Sequence, residues 1–106
     1  MKILLAEDDP ALSELLTAVL SNAGFTVDAT GDGEEAEFLG STEEYDAVVL
    51  DLGLPRLDGL SVLKAWRSAG QTAPVLILTA RSRWSEKLSG FNAGADDYVT
   101  KPFNME

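Results

Sequence analysis

Strand-like and helix-like segments alternate strictly along this 106-residue chain. That alternation predicts an α/β fold: a doubly wound, five-stranded parallel sheet with four helices. Three continuous apolar runs, at residues 2–6, 46–50 and 74–78, have the pattern of strands buried on both faces, as the central strands of a parallel sheet are. Apolar residues at helical spacing fill most of the intervals, and glycines close them.

The first strand is "KILLA" (2–6). Asp9 then caps a helix with Pro10 at its first position. Leu12, Leu15, Leu16, Val19 and Ala23 recur at helical spacing, and Gly24 stops the helix. "FTVDA" (25–29) alternates as an outer strand does. "GEEAEFLG" (33–40) reads as a short acidic helix with weak patterning, and "DAVVL" (46–50) as the next buried strand. Asp58 caps a helix with Leu60, Leu63 and Trp66 facing inward, closed by Gly70. "PVLIL" (74–78) places Pro74 at the first residue of a strand, where proline is tolerated. A helix carrying Trp84, Leu88 and Phe91 follows, ending near Gly94, and "DDYVT" (96–100) is the last strand.

The chain is long enough for one domain with a modest core. Its composition, 45% hydrophobic and 25% charged, is that of a globular protein rather than a disordered one. No apolar run approaches the roughly 20 residues that span a bilayer. The start "MKILLAEDD" turns acidic too early for a signal peptide, so a cytoplasmic location is expected. Without cysteine or histidine, the chain offers no disulfide, no thiolate or imidazole metal site and no histidine acid/base chemistry. The formal charge of −10, from 18 acidic and 8 basic residues, sets these residues against direct contact with a DNA backbone.

Ligands of open parallel sheets bind beyond the carboxyl ends of the strands. Glu7, Asp8 and Asp9 follow the first strand, Asp51 the third, Thr79 the fourth and Lys101 the fifth. If the first and third strands are neighbours, Glu7, Asp8 and Asp51 converge. Two like charges about 4 Å apart repel by roughly 4 kcal/mol at an effective dielectric near 20. One lysine does not offset three carboxylates. A hard divalent cation does, and Mg²⁺ suits a site with oxygen ligands and room for phosphate oxygens. Each residue also has an ordinary reading. Asp9 and Asp58 are helix caps, Asp96 and Asp97 solvated charges, Thr79 a strand residue, Lys101 a surface cation and Asp51 a turn residue. The set of acids, hydroxyl and ammonium at one edge favours phosphoryl transfer to a carboxylate, with Asp51 as the nucleophile.

At these residues the sequence resembles the response-regulator receiver domain over essentially its whole length. The matching motifs are "LLAEDDP", "VVLDLGLPRLDG", "LILTAR" and "GADDYVTKPF", in the family's order and spacing. "GADDYVTKPF" with "EDDP" is most similar to the OmpR/PhoB type, and "DLGLP" and "SRWSEKL" to its PhoP-like members. The resemblance implies a flavodoxin-like strand order, 2-1-3-4-5. It also implies that Asp51 accepts phosphate from a sensor histidine kinase, and that Glu7, Asp8, Asp51 and the Gly53 carbonyl surround Mg²⁺. Thr79 and Tyr98 would be a coupled switch pair, Lys101 would bind the phosphate, and the bond before Pro102 would be cis. An active homodimer would form on the face of the fourth helix and fifth strand, where Lys87, Leu88, Phe91, Asp96 and Asp97 fall.

The family's fifth helix should begin at "FNME", where these residues stop. Residues 1–106 are therefore expected to be a receiver domain cut before its last helix. The natural protein would continue with that helix and then a basic DNA-binding domain controlling transcription. Without the fifth helix, one face of the sheet should carry a single helix and expose an apolar patch. Three other readings compete. A Mg²⁺-dependent phosphohydrolase would need a second acid two residues after its nucleophile, where Gly53 stands. A flavin or nucleotide carrier would need a phosphate loop where the acidic "AEDDP" lies. A purely structural receiver-like domain would have no use for the full acidic and switch set. Trp84, near Thr79, is expected to report Mg²⁺ or phosphate by its fluorescence.

Overall fold

In a computed structural model, which describes residues 1–80 and 84–101 (the side chains of 84 and 85 excepted), nine elements follow one another along the chain. They are β1 (Lys2–Ala6), α1 (Pro10–Asn22), β2 (Thr26–Thr30), α2 (Gly33–Thr42), β3 (Ala47–Leu50), α3 (Gly59–Ser68), β4 (Val75–Thr79), α4 (Trp84–Asn92) and β5 (Asp97–Thr100). The expected cis bond before Pro102, the Trp84 reporter and the "FNME" segment lie outside the described residues.

All strand pairs are parallel, in the order β2-β1-β3-β4-β5, as expected. Every expected element is present, β1 with the expected bounds and the others with boundaries displaced by at most two residues. β4 begins after Pro74, whose ring nitrogen has no proton for a ladder, and Thr79 closes that strand rather than following it. α2 runs on to Thr42, whose hydroxyl bonds the Phe38 carbonyl at 2.8 Å.

Period-two alternation divides the strand side chains between two cores. Leu4, Ala6, Val48, Leu50, Val75 and Ile77 join Ala36, Val62, Leu63 and Trp66 in the larger one, under α2, α3 and the end of α4. On the other face Leu5 and Leu78 meet Leu16 of α1, with Leu12, Val27, Val49 and Val99 partly buried around them. Among the described residues this face carries α1 alone. Its periodic residues are accordingly split: Leu16 is buried, whereas Leu15 and Val19 are 50% and 45% exposed. On α3, Leu63 and Trp66 are buried as expected and Leu60 only partly. Val62, which the inward stripe omitted, is fully buried. No described helix is long and apolar enough to cross a membrane.

Candidate functional site

Pairing of β1 with β3 places Ala6 opposite Leu50, so Glu7 and Asp51 leave the sheet side by side. The Asp51 amide donates to the Ala6 carbonyl at 2.9 Å, and the Glu7 amide to the Thr30 carbonyl at 2.9 Å. Carboxylate oxygens of Glu7, Asp8 and Asp51 lie within 4.8 Å of one another. Glu7 and Asp51 are buried, at 3% and 6% exposure, while Asp8 is open to solvent. Two strand ends thus hold the inner acids rigidly and leave the third at the mouth.

Lys101 leaves β5 toward the same point. Its amide donates to the Thr79 carbonyl at 2.7 Å, and its Nζ lies 2.6 Å from Glu7 Oε1 and 3.5 Å from Asp51 Oδ2. Thr79 is buried beside Asp51. These contacts separate the two inner acids electrostatically. Burial pushes the Asp51 carboxyl up, but hydrogen bonds from the Thr79 hydroxyl and the Gly53 amide, with the Lys101 charge, outweigh it. Asp51 ends below its ordinary value. Glu7 is pushed up, by burial first, although Lys101 and the Asp9 amide act against it; the Asp51 charge adds to the rise. Burial disfavours the Lys101 ammonium, but its hydrogen bond to Glu7 and the charges of Asp51 and Glu7 hold it above its usual value. Of the two inner acids, Asp51 is therefore the one whose charged form the pocket favours.

The donors gathered are carboxylate oxygens, and the chain has neither histidine nor cysteine to offer instead. That set fits a hard divalent cation. Exposed Gly53 stands two residues past Asp51 in the β3–α3 loop, between buried Leu52 and Leu54, its amide donating to Asp51 Oδ1 at 3.3 Å. The loop is tight. A Cβ on Gly59 would stand 2.3 Å from the Asp51 carbonyl, so only glycine lets α3 start so close to the strand end.

Asp9 and Asp58 are caps, as expected. Asp9 accepts from the Ala11 and Leu12 amides at 3.0 and 3.4 Å, and Asp58 from the Ser61 amide at 3.0 Å. Tyr98 is not at the acid cluster. It pairs with Ile77, two positions before the Thr79–Thr100 pair, and its half-buried ring packs 6.4 Å from that of Phe91. On the expected dimer face, Leu88 and Phe91 are each 46% exposed, Asp97 is exposed and Lys87 half-buried. Asp96 has a second task that sequence reasoning missed. Its Oδ2 accepts the Val75 amide at 2.8 Å and pairs with Arg67 at 3.4 Å, tying β5 to the start of β4.

The family model for the response regulator receiver domain matches residues 3–106. The chain belongs to that family. It is 45% identical over 106 residues to the virulence transcriptional regulatory protein PhoP of Salmonella choleraesuis, covering all of this chain and 47% of the relative. It is 52% identical over 105 residues to the transcriptional regulatory protein QseB of Haemophilus influenzae, covering 99% of this chain and 48% of that protein. The receiver domain thus spans about half the length of these relatives. Among solved structures, the receiver domain of Francisella response regulator 1452 superposes with a TM-score of 0.92 at 39% identity, over 97% of this chain and 85% of that one. The receiver domain of the Pseudomonas aeruginosa sensor histidine kinase PA1611, described with magnesium coordinated in its active-site cleft, gives 0.87 at 34%, over 97% and 86%. The chain is the receiver domain of a two-component response regulator.

Proposed function

We propose that Asp51 is the phosphoacceptor of this receiver domain and takes its phosphoryl group from the phosphohistidine of a sensor kinase. The observation that carries this reading is a buried carboxylate at a strand end whose charged form the pocket favours, with Lys101 3.5 Å away and two further acids beside it. An Asp51 oxygen attacks phosphorus and a new O–P bond forms. The P–N bond of the donor breaks, its electron pair returning to the imidazole, which takes up a proton. Glu7, Asp8, Asp51 and the Gly53 carbonyl would hold Mg²⁺, which when bound offsets charge on the transferring oxygens. The Thr79 hydroxyl donates to the transferred group, and Lys101 acts on it as a point charge.

Thr79 and Tyr98 then bias two arrangements of α4 and β5, and the surface of Lys87, Leu88, Phe91, Asp96 and Asp97 forms a homodimer. Output passes to DNA through a C-terminal domain in the full-length protein, since the −10 charge of these residues repels a phosphate backbone. The setting is the cytoplasm, and the domain's own chemistry is confined to gaining and losing its phosphate. Incubation with Mg²⁺ and a small phosphodonor, followed by intact mass, tests the reading. A gain of one phosphate that needs both Mg²⁺ and Asp51 is expected, and its absence overturns the assignment.

A further inference from the structure

Among the described residues, Arg56 alone combines a side chain with left-handed backbone, at φ +69°. That conformation is disfavoured for any residue with a Cβ. The Leu57 amide donates back to the Pro55 carbonyl at 2.9 Å, the pattern of a γ-turn centred on Arg56. The turn lies in the β3–α3 loop, downstream of Asp51 and Gly53. A strained residue this near a reactive site needs surroundings that hold it in place.

Those surroundings are the β2–α2 loop. Arg56 Nη1 lies 3.1 Å from Asp32 Oδ2, and the Gly33 amide donates to the Pro55 carbonyl at 3.1 Å. Asp32 divides its two oxygens. Oδ1 caps α2 through the Glu34 and Glu35 amides at 2.8 and 3.4 Å, while Oδ2 faces Arg56. Upstream, the Asp32 amide donates to Thr30 Oγ1 at 3.2 Å, and the position of a Cβ on Gly31 is 3.5 Å from the Asp8 Cα and the Glu7 carbonyl oxygen. Contacts therefore run from Glu7, whose amide donates to the Thr30 carbonyl at 2.9 Å, through Thr30 and Asp32 to Arg56 in the loop that bears Asp51 and Gly53.

We propose that Arg56 is a positioning residue for the reaction at Asp51: its ion pair with Asp32 clamps the β3–α3 loop to the loops carrying Glu7 and Asp8, and so sets the spacing of the groups that hold Mg²⁺. The inference rests on the Mg²⁺-dependent reading of the site. Arg56 touches no reacting atom and acts through the loop. A bland alternative is a solvated surface pair, since the Arg56 side chain is 68% exposed. Exposed pairs contribute little to global stability. A clamp would instead act on local loop order, so its signature is altered metal binding at unchanged overall stability.

The test uses Asp32→Ser, Arg56→Gln, their double variant and Arg56→Lys. Serine caps a helix about as well as aspartate but is too short to reach Arg56. Mg²⁺ binding is followed by titration of the Gly53 amide resonance, phosphorylation by phosphoramidate at limiting and saturating Mg²⁺, and folding by thermal unfolding. Each single variant is expected to weaken Mg²⁺ about threefold, the scale of one exposed charge pair, with the saturated rate and the unfolding midpoint unchanged. The double variant should lose no more than either single one, and Arg56→Lys should recover most of the loss. Wild-type affinity in both single variants, losses that multiply in the double, or losses that track a lowered midpoint would each overturn the clamp. A wild-type protein that binds Mg²⁺ but takes no phosphate sinks the functional reading while the titration still decides the clamp. One that binds no Mg²⁺ sinks the clamp as well.

Discussion

At one end of the sheet Lys101 Nζ stands 2.6 Å from Glu7 and 3.5 Å from Asp51; at the other, Lys2 Nζ stands 2.5 Å from Glu43 and 3.5 Å from Asp28. The two arrangements share residue types and nearly share distances. Their burial differs. The Glu7 and Asp51 side chains are 2% and 8% exposed, those of Glu43 and Asp28 43% and 36%. A given pair of charges interacts about fourfold more strongly in a partly buried setting than in water. At the Lys101 end that difference separates the behaviour of two neighbouring acids. At the Lys2 end solvent screens the same charges, and Lys2 also lies 5.0 Å over the Tyr45 ring. The proposed chemistry lies at the end where the two inner carboxylates are shielded from water.

The comparison breaks most plainly at its centre. Asp51→Asn keeps the shape and removes the proposed nucleophile, so phosphate incorporation measured by intact mass should fall to background. Asp28→Asn, at the other end, should leave incorporation unchanged. Equal loss in both would mean that the two ends are not functionally distinct.

Glu7→Gln sharpens the same contrast in two ways. Losing partners that merely orient a metal ligand costs about 10- to 100-fold in affinity, so if Glu7 is a ligand as proposed, its loss should weaken Mg²⁺ by at least about tenfold. Metal-free stability should move the other way, and pH gives the sign. Because the folded-state value of Glu7 is raised above 4.5, the folded protein keeps a proton that the unfolded chain has released. Stability from this group is full below the unfolded value and is lost as pH rises through the folded one. The variant has no such loss. Urea unfolding without Mg²⁺ should find Glu7→Gln level with wild type near the acid end of that window and more stable above it. A constant difference at every pH would remove Glu7 as the strained acid.

Sequence patterning exposed the site well and its supports poorly. Continuous apolar runs located β1, β3 and β4, and the residues leaving them were the acids that meet. The order of strands came from resemblance, since periodicity does not say which strands are neighbours. Leu15 and Val19 have the spacing of core residues and are half exposed, because spacing reports a face of the helix and not what lies opposite it. The left-handed turn at Arg56 carried no signal, as arginine is not a residue whose type announces positive φ. Asp32 was visible only as one acid among several. Asp96 read as a solvated charge because its bond to the Val75 amide joins residues 21 apart in the chain.

Smaller effects belong to the Lys2 end, and two variants there separate a partly buried hydrogen bond from an exposed ion pair. Tyr45 is 8% exposed, and its hydroxyl donates to Asp28 at 2.8 Å. Burial first, and then that bond and the Asp28 charge, keep its proton bound well above the usual tyrosine range. Tyr45→Phe should lower stability by about 1 kcal/mol, the net worth of an ordinary hydrogen bond. Lys2→Met should do less, because both its acid partners remain hydrated and its backbone amide still donates to Asp46 Oδ2 at 2.7 Å. Its unfolding midpoint should hardly move, and phosphorylation at the far end should be unaltered. A Lys2→Met loss as large as that of Tyr45→Phe would mean that the exposed charges hold the strand ends together, and that burial is not what distinguishes the two ends.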